Sequence, residues 1–220
     1  QKVWTSGAHF ADYGMIVARS DPTALKHKGL TYFYVDMKTP GIEAKPIKQI
    51  SGSANFNEVF FNDVRIPDSQ RIGAEGDGWK VSLTTLMNER LAVGDPPGLD
   101  FDQIFEASKE IEVEDGLAVK NSEVRQKMAD WYIQSRGLQY TKYRSMTALS
   151  KGQTPGPELS ISKLVTASKM QDVSSYALDL MDMSGMVHQD QNPILKNLFQ
   201  NGYFFSAAMR IAGGTDEVLR

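Results

Sequence analysis

The sequence contains no cysteine, which excludes a disulfide framework, a thiolate metal site and a cysteine nucleophile. It has no apolar run long enough to span a bilayer, so membrane insertion is not expected. There is no excess of one charge: 24 basic residues face 27 acidic ones, for a net charge of −3. Nucleic acid and anionic lipid, which call for a basic face, are therefore disfavoured as partners. Histidine is sparse, and His9, His27 and His188 are too far apart for metal-ligand spacing, so no metal is expected. No nucleophile elbow and no P-loop occurs.

What remains is an ordinary globular composition with two grammars. Residues 1 to about 70 read as β. Met15–Ala18 is a short apolar run, and Leu30–Met37 is rich in aromatic and β-branched residues that suit a pleated surface. Thr39-Pro40-Gly41 is a turn, and Asn57–Ile66 reads as a strand stopped by Pro67. Such strands predict an antiparallel β-barrel or sandwich. The glycine-rich stretch Gly73–Gly78 follows, and reads as a hinge between strand and helix.

Beyond it, helical spacing takes over. Trp79, Leu83, Leu86 and Val93 mark a helix over 79–93, broken by Asp95-Pro96-Pro97-Gly98. Asn121-Ser122 forms an N-cap for a long helix with Val124, Met128, Trp131 and Leu138 on one face. A second long helix is expected over 158–183, with Ile161, Leu164, Leu180 and Met183 inward, and a third over 194–211. The fold class is thus α+β and multidomain. Residues 1–72 form a β domain and 73–220 an antiparallel four-helix bundle. The chain starts in strand-like sequence without Met and stops at Arg220 as a new helix begins, so we read it as a segment of a longer protein.

Two places suggest chemistry. The Gly213-Gly214-Thr215 turn before that last helix allows close backbone approach to a phosphate, or is a plain helix–helix turn with a threonine cap. Glu89 sits beside Leu86 and Val93 on its helix. It is either a carboxylate desolvated enough to act as a base or an ordinary solvated one.

In order along the chain, Trp4-Thr5-Ser6-Gly7, Ala18-Arg19-Ser20-Asp21-Pro22, Thr39-Pro40-Gly41-Ile42, Phe61–Pro67, Gly76-Asp77-Gly78-Trp79, Asn88-Glu89-Arg90 and Gly213-Gly214-Thr215 resemble the acyl-CoA dehydrogenase family. The resemblance implies a middle β domain followed by the C-terminal helical bundle, with the family's N-terminal helical domain absent from this segment. It implies FAD as cofactor, α,β-dehydrogenation of an acyl-CoA substrate, an electron-transfer flavoprotein as partner, a homo- or hetero-oligomer, and a bacterial cytoplasmic setting. It assigns Trp4, Thr5, Ser6, Arg125, Gln126, Thr215 and Glu217 to the cofactor, with Trp4 and Ser6 beside the flavin ring. Asn88, Arg90 and Gly214 are assigned to substrate.

Two departures from the family pattern shape the expectation. The usual base, the Glu of Tyr-Glu-Gly-Thr, is replaced by Gly213. A smaller class resembling isovaleryl- and long-chain acyl-CoA dehydrogenases places the base one residue before the arginine of the first bundle helix, and there Glu89 stands. The usual Arg-x-x-Phe-Gly is absent between Asp115 and Arg125, and the Gln and paired glycines usual near Asp182–Gly185 are missing. That pattern looks like bacterial members that work as heteromeric pairs, for instance in steroid side-chain catabolism. Arg125 and Gln126 stand where the family approaches the partner's cofactor, or simply start a helix. Two further readings stay open: a non-catalytic subunit that completes a partner's FAD site, and a flavin monooxygenase on the same fold.

Overall fold

The computed structural model describes residues 1–92, 99–153, 156, 158–187 and 194–220, with the side chains of 87–92, 159 and 194–196 outside that description. It is a mixed α and β chain that divides into two compact units, Gln1–Glu89 and Arg90–Arg220.

The first unit holds two three-stranded antiparallel sheets. One runs β1 (Lys2–Ser6), β5 (Phe56–Phe61), β4 (Ile42–Ile47); the other runs β2 (Tyr13–Arg19), β3 (Leu30–Asp36), β6 (Arg71–Ile72). The β2–β3 ladder is unbroken from Tyr13↔Asp36 to Arg19↔Leu30. Val35 and Tyr32 of β3 are buried, as aromatic and β-branched residues on a half-covered sheet should be. In β5, Asn57 and Val59 point inward two residues apart, the period of a strand. The buried Asn57 amide donates to Thr5 O at 3.0 Å, and its Oδ1 meets His9 Nδ1 at 2.9 Å, so the polar group is satisfied. The strand expected to reach Ile66 ends at Phe61. Asp63 adopts φ 51°, a left-handed conformation that cannot continue a ladder.

The segment from Gly73 to Gly78 is fastened rather than loose. Gly76 N donates to Thr31 Oγ1 at 3.1 Å, and Thr31 shares a 2.6 Å hydrogen bond with Ser20. A Cβ on Gly78 would lie 2.7 Å from the Leu30 carbonyl and Thr31 N, so only glycine admits this approach of α1 (Gly78–Ala92) to β3. Trp79 of α1 stacks on His27, with ring centroids 5.3 Å apart. His188 and Asp95–Gly98 lie outside the described residues, as does Val93.

The second unit contains α2 (Phe101–Ser108), the short hairpin β7 (Glu112–Val113) and β8 (Gly116–Leu117), α3 (Ser122–Ser150), α4 (Glu158–Leu180), α5 (Met183–Met186), α6 (Ile194–Ile211) and α7 (Asp216–Leu219). Asn121 caps α3 by accepting from the amides of Glu123 and Val124. Val124, Met128 and Trp131 of α3 meet Met170, Val173 and Ala177 of α4, Phe199 of α6 and Ile104 of α2 in one core. Trp131 places its indole N–H on Asp172 at 2.8 Å. The expected inward face of α4 is corrected in part. Ile161 and Met183 are exposed, and the buried stripe is Ala167, Met170, Val173 and Ala177. The helix stops at Leu180 rather than 183, and Asp182 at φ 48° turns the chain out of it. Among the described residues no helix is long and apolar enough to cross a membrane.

Candidate functional site

In the first unit, the candidate residues lie on the outer strand β1. Its pairing with β5 shifts between Lys2 and Thr5, an irregularity that leaves Trp4 out of register. Trp4 takes φ 65° and is 64% exposed, its indole meeting Phe56 only edge-on at 6.2 Å. A left-handed tryptophan costs about 1–2 kcal/mol; such outliers concentrate where a side chain is held out for use. Beyond the bulge, Thr5 and Ser6 pair with Asn57 and Phe56. The Asn57 amide on Thr5 O anchors the strand at that point. The Ser6 side chain is exposed, and its hydroxyl engages no described residue.

In the second unit, Gly214, Thr215 and Glu217 come together in one turn. Gly213 and Gly214 take φ 67° and 114°, so the pair reverses the chain without side-chain cost. Thr215 caps α7: its hydroxyl accepts from Val218 N at 3.4 Å. Hydrogen bonds from Glu217's own amide and from the Thr215 hydroxyl hold the exposed Glu217 carboxyl below its usual range. Asp216, almost fully buried, takes Arg210 Nε at 2.7 Å on Oδ2, and its Oδ1 has no donor among the described residues. Arg210 also reaches Gln171 Oε1 of α4 at 2.8 Å. From the same helix, Lys163 Nζ donates to Gly214 O at 2.5 Å. Burial pushes the Lys163 amine down, partly countered by the nearby Asp216 charge.

Arg125 and Gln126 lie in the first turn of α3. Arg125 is exposed, and its guanidinium reaches Val119 O at 3.5 Å. Asn88, Glu89 and Arg90 lie in the last part of α1, and their side chains fall outside the description.

Sequence reasoning missed a third cluster. Asp100 caps α2 in a reciprocal box with Gln103 and receives the Ser135 hydroxyl and Lys169 Nζ, the latter at 2.7 Å. Lys169 also donates to Ser135 Oγ at 2.8 Å. Burial pushes the Asp100 carboxyl up, but the bonds from Lys169, Ser135 and the Phe101 amide outweigh it, and the group lies below its usual range. The three residues line a cavity of about 430 Å³ with Phe101, Tyr132 and Arg136. Two signals were available: Asp100 and Gln103 at capping-box spacing, and Lys169 set among the apolar positions of α4. The Lys163 bond to Gly214, by contrast, joins residues 51 positions apart and leaves no local trace.

Residues 76–220 match the family described as "Acyl-CoA dehydrogenase, C-terminal domain". Acyl-CoA dehydrogenase FadE34 of Mycobacterium tuberculosis is 35% identical over 221 residues, spanning 100% of this chain and 29% of that protein. Acyl-CoA dehydrogenase IpdE1 of Mycolicibacterium smegmatis is 32% identical, spanning 100% of this chain and 54% of that protein. Among solved structures, a variant of the Tcur3481-Tcur3483 steroid ACAD superposes with a TM-score of 0.83 at 25% identity, over 100% of this chain and 57% of that one. Butyryl-CoA dehydrogenase from Megasphaera elsdenii shares the fold, with a TM-score of 0.81 at 20% identity over 99% of this chain and 56% of that one. The chain spans little more than half, or less, of the length of these relatives. By the family match across 76–220 and the relatives aligned along its whole length, the chain belongs to the acyl-CoA dehydrogenase family.

Proposed function

We propose that this chain is the middle-domain and C-terminal-bundle portion of a bacterial, cytoplasmic FAD-dependent acyl-CoA dehydrogenase, with Glu89 as the base. The observation that carries the cofactor assignment is the strand β1. It holds Trp4 outward on an irregular backbone and leaves the Ser6 hydroxyl without a described partner, which suits an aromatic ring system that needs a wall and a donor. By the family resemblance the turn at 213–217 of the second unit serves the phosphate-bearing part of FAD, and it leaves open space for a ligand: a Cβ at Gly213 would meet nothing within 4 Å.

FAD, when bound, supplies the acceptor for the hydride that leaves the acyl β-carbon. Trp4 shields the ring, Ser6 offers its hydroxyl to it, and Thr5 contributes its backbone. Thr215 serves the phosphate-bearing part and Glu217 the polar groups next to it, Gly214 faces the substrate, and Arg125 and Gln126 serve a neighbouring subunit's cofactor. Glu89 takes the α-proton of the thioester. A carboxylate does this only where it is shielded from water and the thioester carbonyl is polarised by donors; the adjoining Asn88 and Arg90 are assigned to the substrate. An electron-transfer flavoprotein takes the electrons onward. The likeness to a solved structure described as a steroid ACAD supports an acyl-CoA substrate from fatty-acid or steroid side-chain catabolism.

A second reading has its own support. The absent Arg-x-x-Phe-Gly and the likeness to heteromeric structures, including one described as a ChsE4-ChsE5 complex, favour a subunit that completes a partner's FAD site without turning over itself. The visible spectrum of the full-length protein separates the two. Yellow protein bleached anaerobically by an acyl-CoA supports the first. Colourless protein that gains flavin only with a partner subunit supports the second, and protein that takes up flavin in neither state overturns both.

A further inference from the structure

The turn that would hold the cofactor is built from the two residues least able to hold a shape. Gly213 and Gly214, at φ 67° and 114°, have no side chains to fix their peptide planes, and glycine pairs exchange between turn conformations at little cost. Two attachments from the surrounding helices remove that freedom. On one side Arg210 of α6 clasps Asp216 with Nε at 2.7 Å and Nη2 at 2.5 Å, and is itself held by Gln171 of α4. On the other, Lys163 of α4 donates to the carbonyl of Gly214 at 2.5 Å. A peptide is planar and trans, so fixing the Gly214 carbonyl also fixes the Thr215 N–H, which points the opposite way.

The side chain is only part-buried, its amine is destabilised by the burial it does have and by like-charge repulsion from Arg210, and the nearby Asp216 charge offsets only part of this. The only hydrogen bond its amine makes among the described residues is the one to Gly214 O. The hydrogen bond of the amine is therefore spent on orienting one peptide.

Resting on the FAD reading above, we infer that Lys163 is a positioning residue for the cofactor. It locks the Gly214–Thr215 peptide in the orientation that receives the phosphate-bearing part of FAD, without touching the reacting atoms. The lock lies in the ground-state affinity for FAD and not in the chemical step.

The test is FAD titration of the full-length apoprotein, followed by flavin fluorescence, together with kcat at saturating FAD. Lys163→Met is expected to raise the FAD dissociation constant by about 10- to 100-fold, the scale of one lost charge-assisted hydrogen bond, while kcat of the saturated enzyme stays within about twofold. Lys163→Arg, which keeps a charged donor, is expected to recover most of the affinity. Should Lys163→Met not fold, Lys163→Gln, with a neutral donor, carries the same comparison and is expected to weaken FAD less. Wild-type affinity in the Met or Gln variant overturns the inference. So does equal weakening in Arg and Met variants, or a fall in kcat that saturating FAD does not repair. A wild-type protein that binds no FAD, alone or with a partner subunit, is a different result and refutes the FAD reading itself.

Discussion

Lys169, buried on α4, donates to the carboxylate of Asp100, the residue that caps α2, at 2.7 Å. One ion pair thus ties a helix start to a helix interior, with Ser135 of α3 as the third member. Removing the acid leaves a buried ammonium whose one remaining hydrogen-bond partner among the described residues is the Ser135 hydroxyl. Breaking a buried pair in this way costs about 3–5 kcal/mol, and the half-exposed Asp100 side chain puts Asp100→Ala at the low end, about 3 kcal/mol. Urea unfolding of the full-length protein measures it. A loss below about 1 kcal/mol, the value of a surface pair, would show that water reaches Lys169 freely.

The same pair has a pH signature. The Asp100 carboxyl lies below its usual range in the folded chain. The folded state therefore binds fewer protons than the unfolded one near that pH. The stabilisation is present in full above the unfolded value of about 3.9 and is lost as pH falls through the folded value. Asn at position 100 keeps the capping ability of the side chain but not its charge. The stability difference between native protein and Asp100→Asn should be flat from about pH 7 to 5 and shrink below about pH 4. A difference that grows on acidification would reverse the assigned sign.

What could be read in the sequence was whatever is decided locally. Strands β2 and β3 follow from the composition of Met15–Ala18 and Leu30–Met37, and the start of α3 from Asn121. Ends and faces were harder. Whether β5 runs to Ile66 depends on the backbone of Asp63, and which side of α4 faces inward depends on how closely small residues such as Ala167 and Ala177 let neighbours approach. The hairpin at 112–117 and α2 leave little trace in the sequence, because each is short and only the capping box at Asp100 and Gln103 marks the helix. At the candidate site the residue types at 4–6 and 213–217 were legible. What holds them was not: the Asn57 amide on Thr5, and Lys163 on Gly214, join positions dozens of residues apart.

Ser6 supplies the third prediction. Its hydroxyl is exposed on β1 and engages no described residue, so Ser6→Ala should leave folding within about 0.5 kcal/mol, as for surface substitutions elsewhere. If that hydroxyl serves the flavin as it is reduced, anaerobic reduction by an acyl-CoA should slow by up to about 10²–10³-fold at full flavin content. Unchanged reduction in the fully flavinylated variant removes Ser6 from the site.

The fourth prediction concerns the base. If Glu89 removes the α-proton, Glu89→Gln keeps size and hydrogen bonding but loses proton affinity. FAD and acyl-CoA binding should survive, and stopped-flow flavin reduction should fall by about 10²–10⁴-fold, the contribution of a general base. The structure sharpens the companion experiment, moving the base to the position most of the family uses. A Cβ at Gly213 meets nothing within 4 Å, so there is room for a side chain. The obstacle is backbone: at φ 67° a non-glycine residue sits in the left-handed region, at about 1–2 kcal/mol. Because the neighbouring Gly214 carbonyl is held by Lys163, the turn has little freedom to relax that strain. Gly213→Glu in the Glu89→Gln background is therefore expected to fold with reduced stability and to regain only part of the lost reduction rate. Wild-type-like reduction in Glu89→Gln alone would move the base out of this chain and favour the reading in which a partner subunit performs the chemistry.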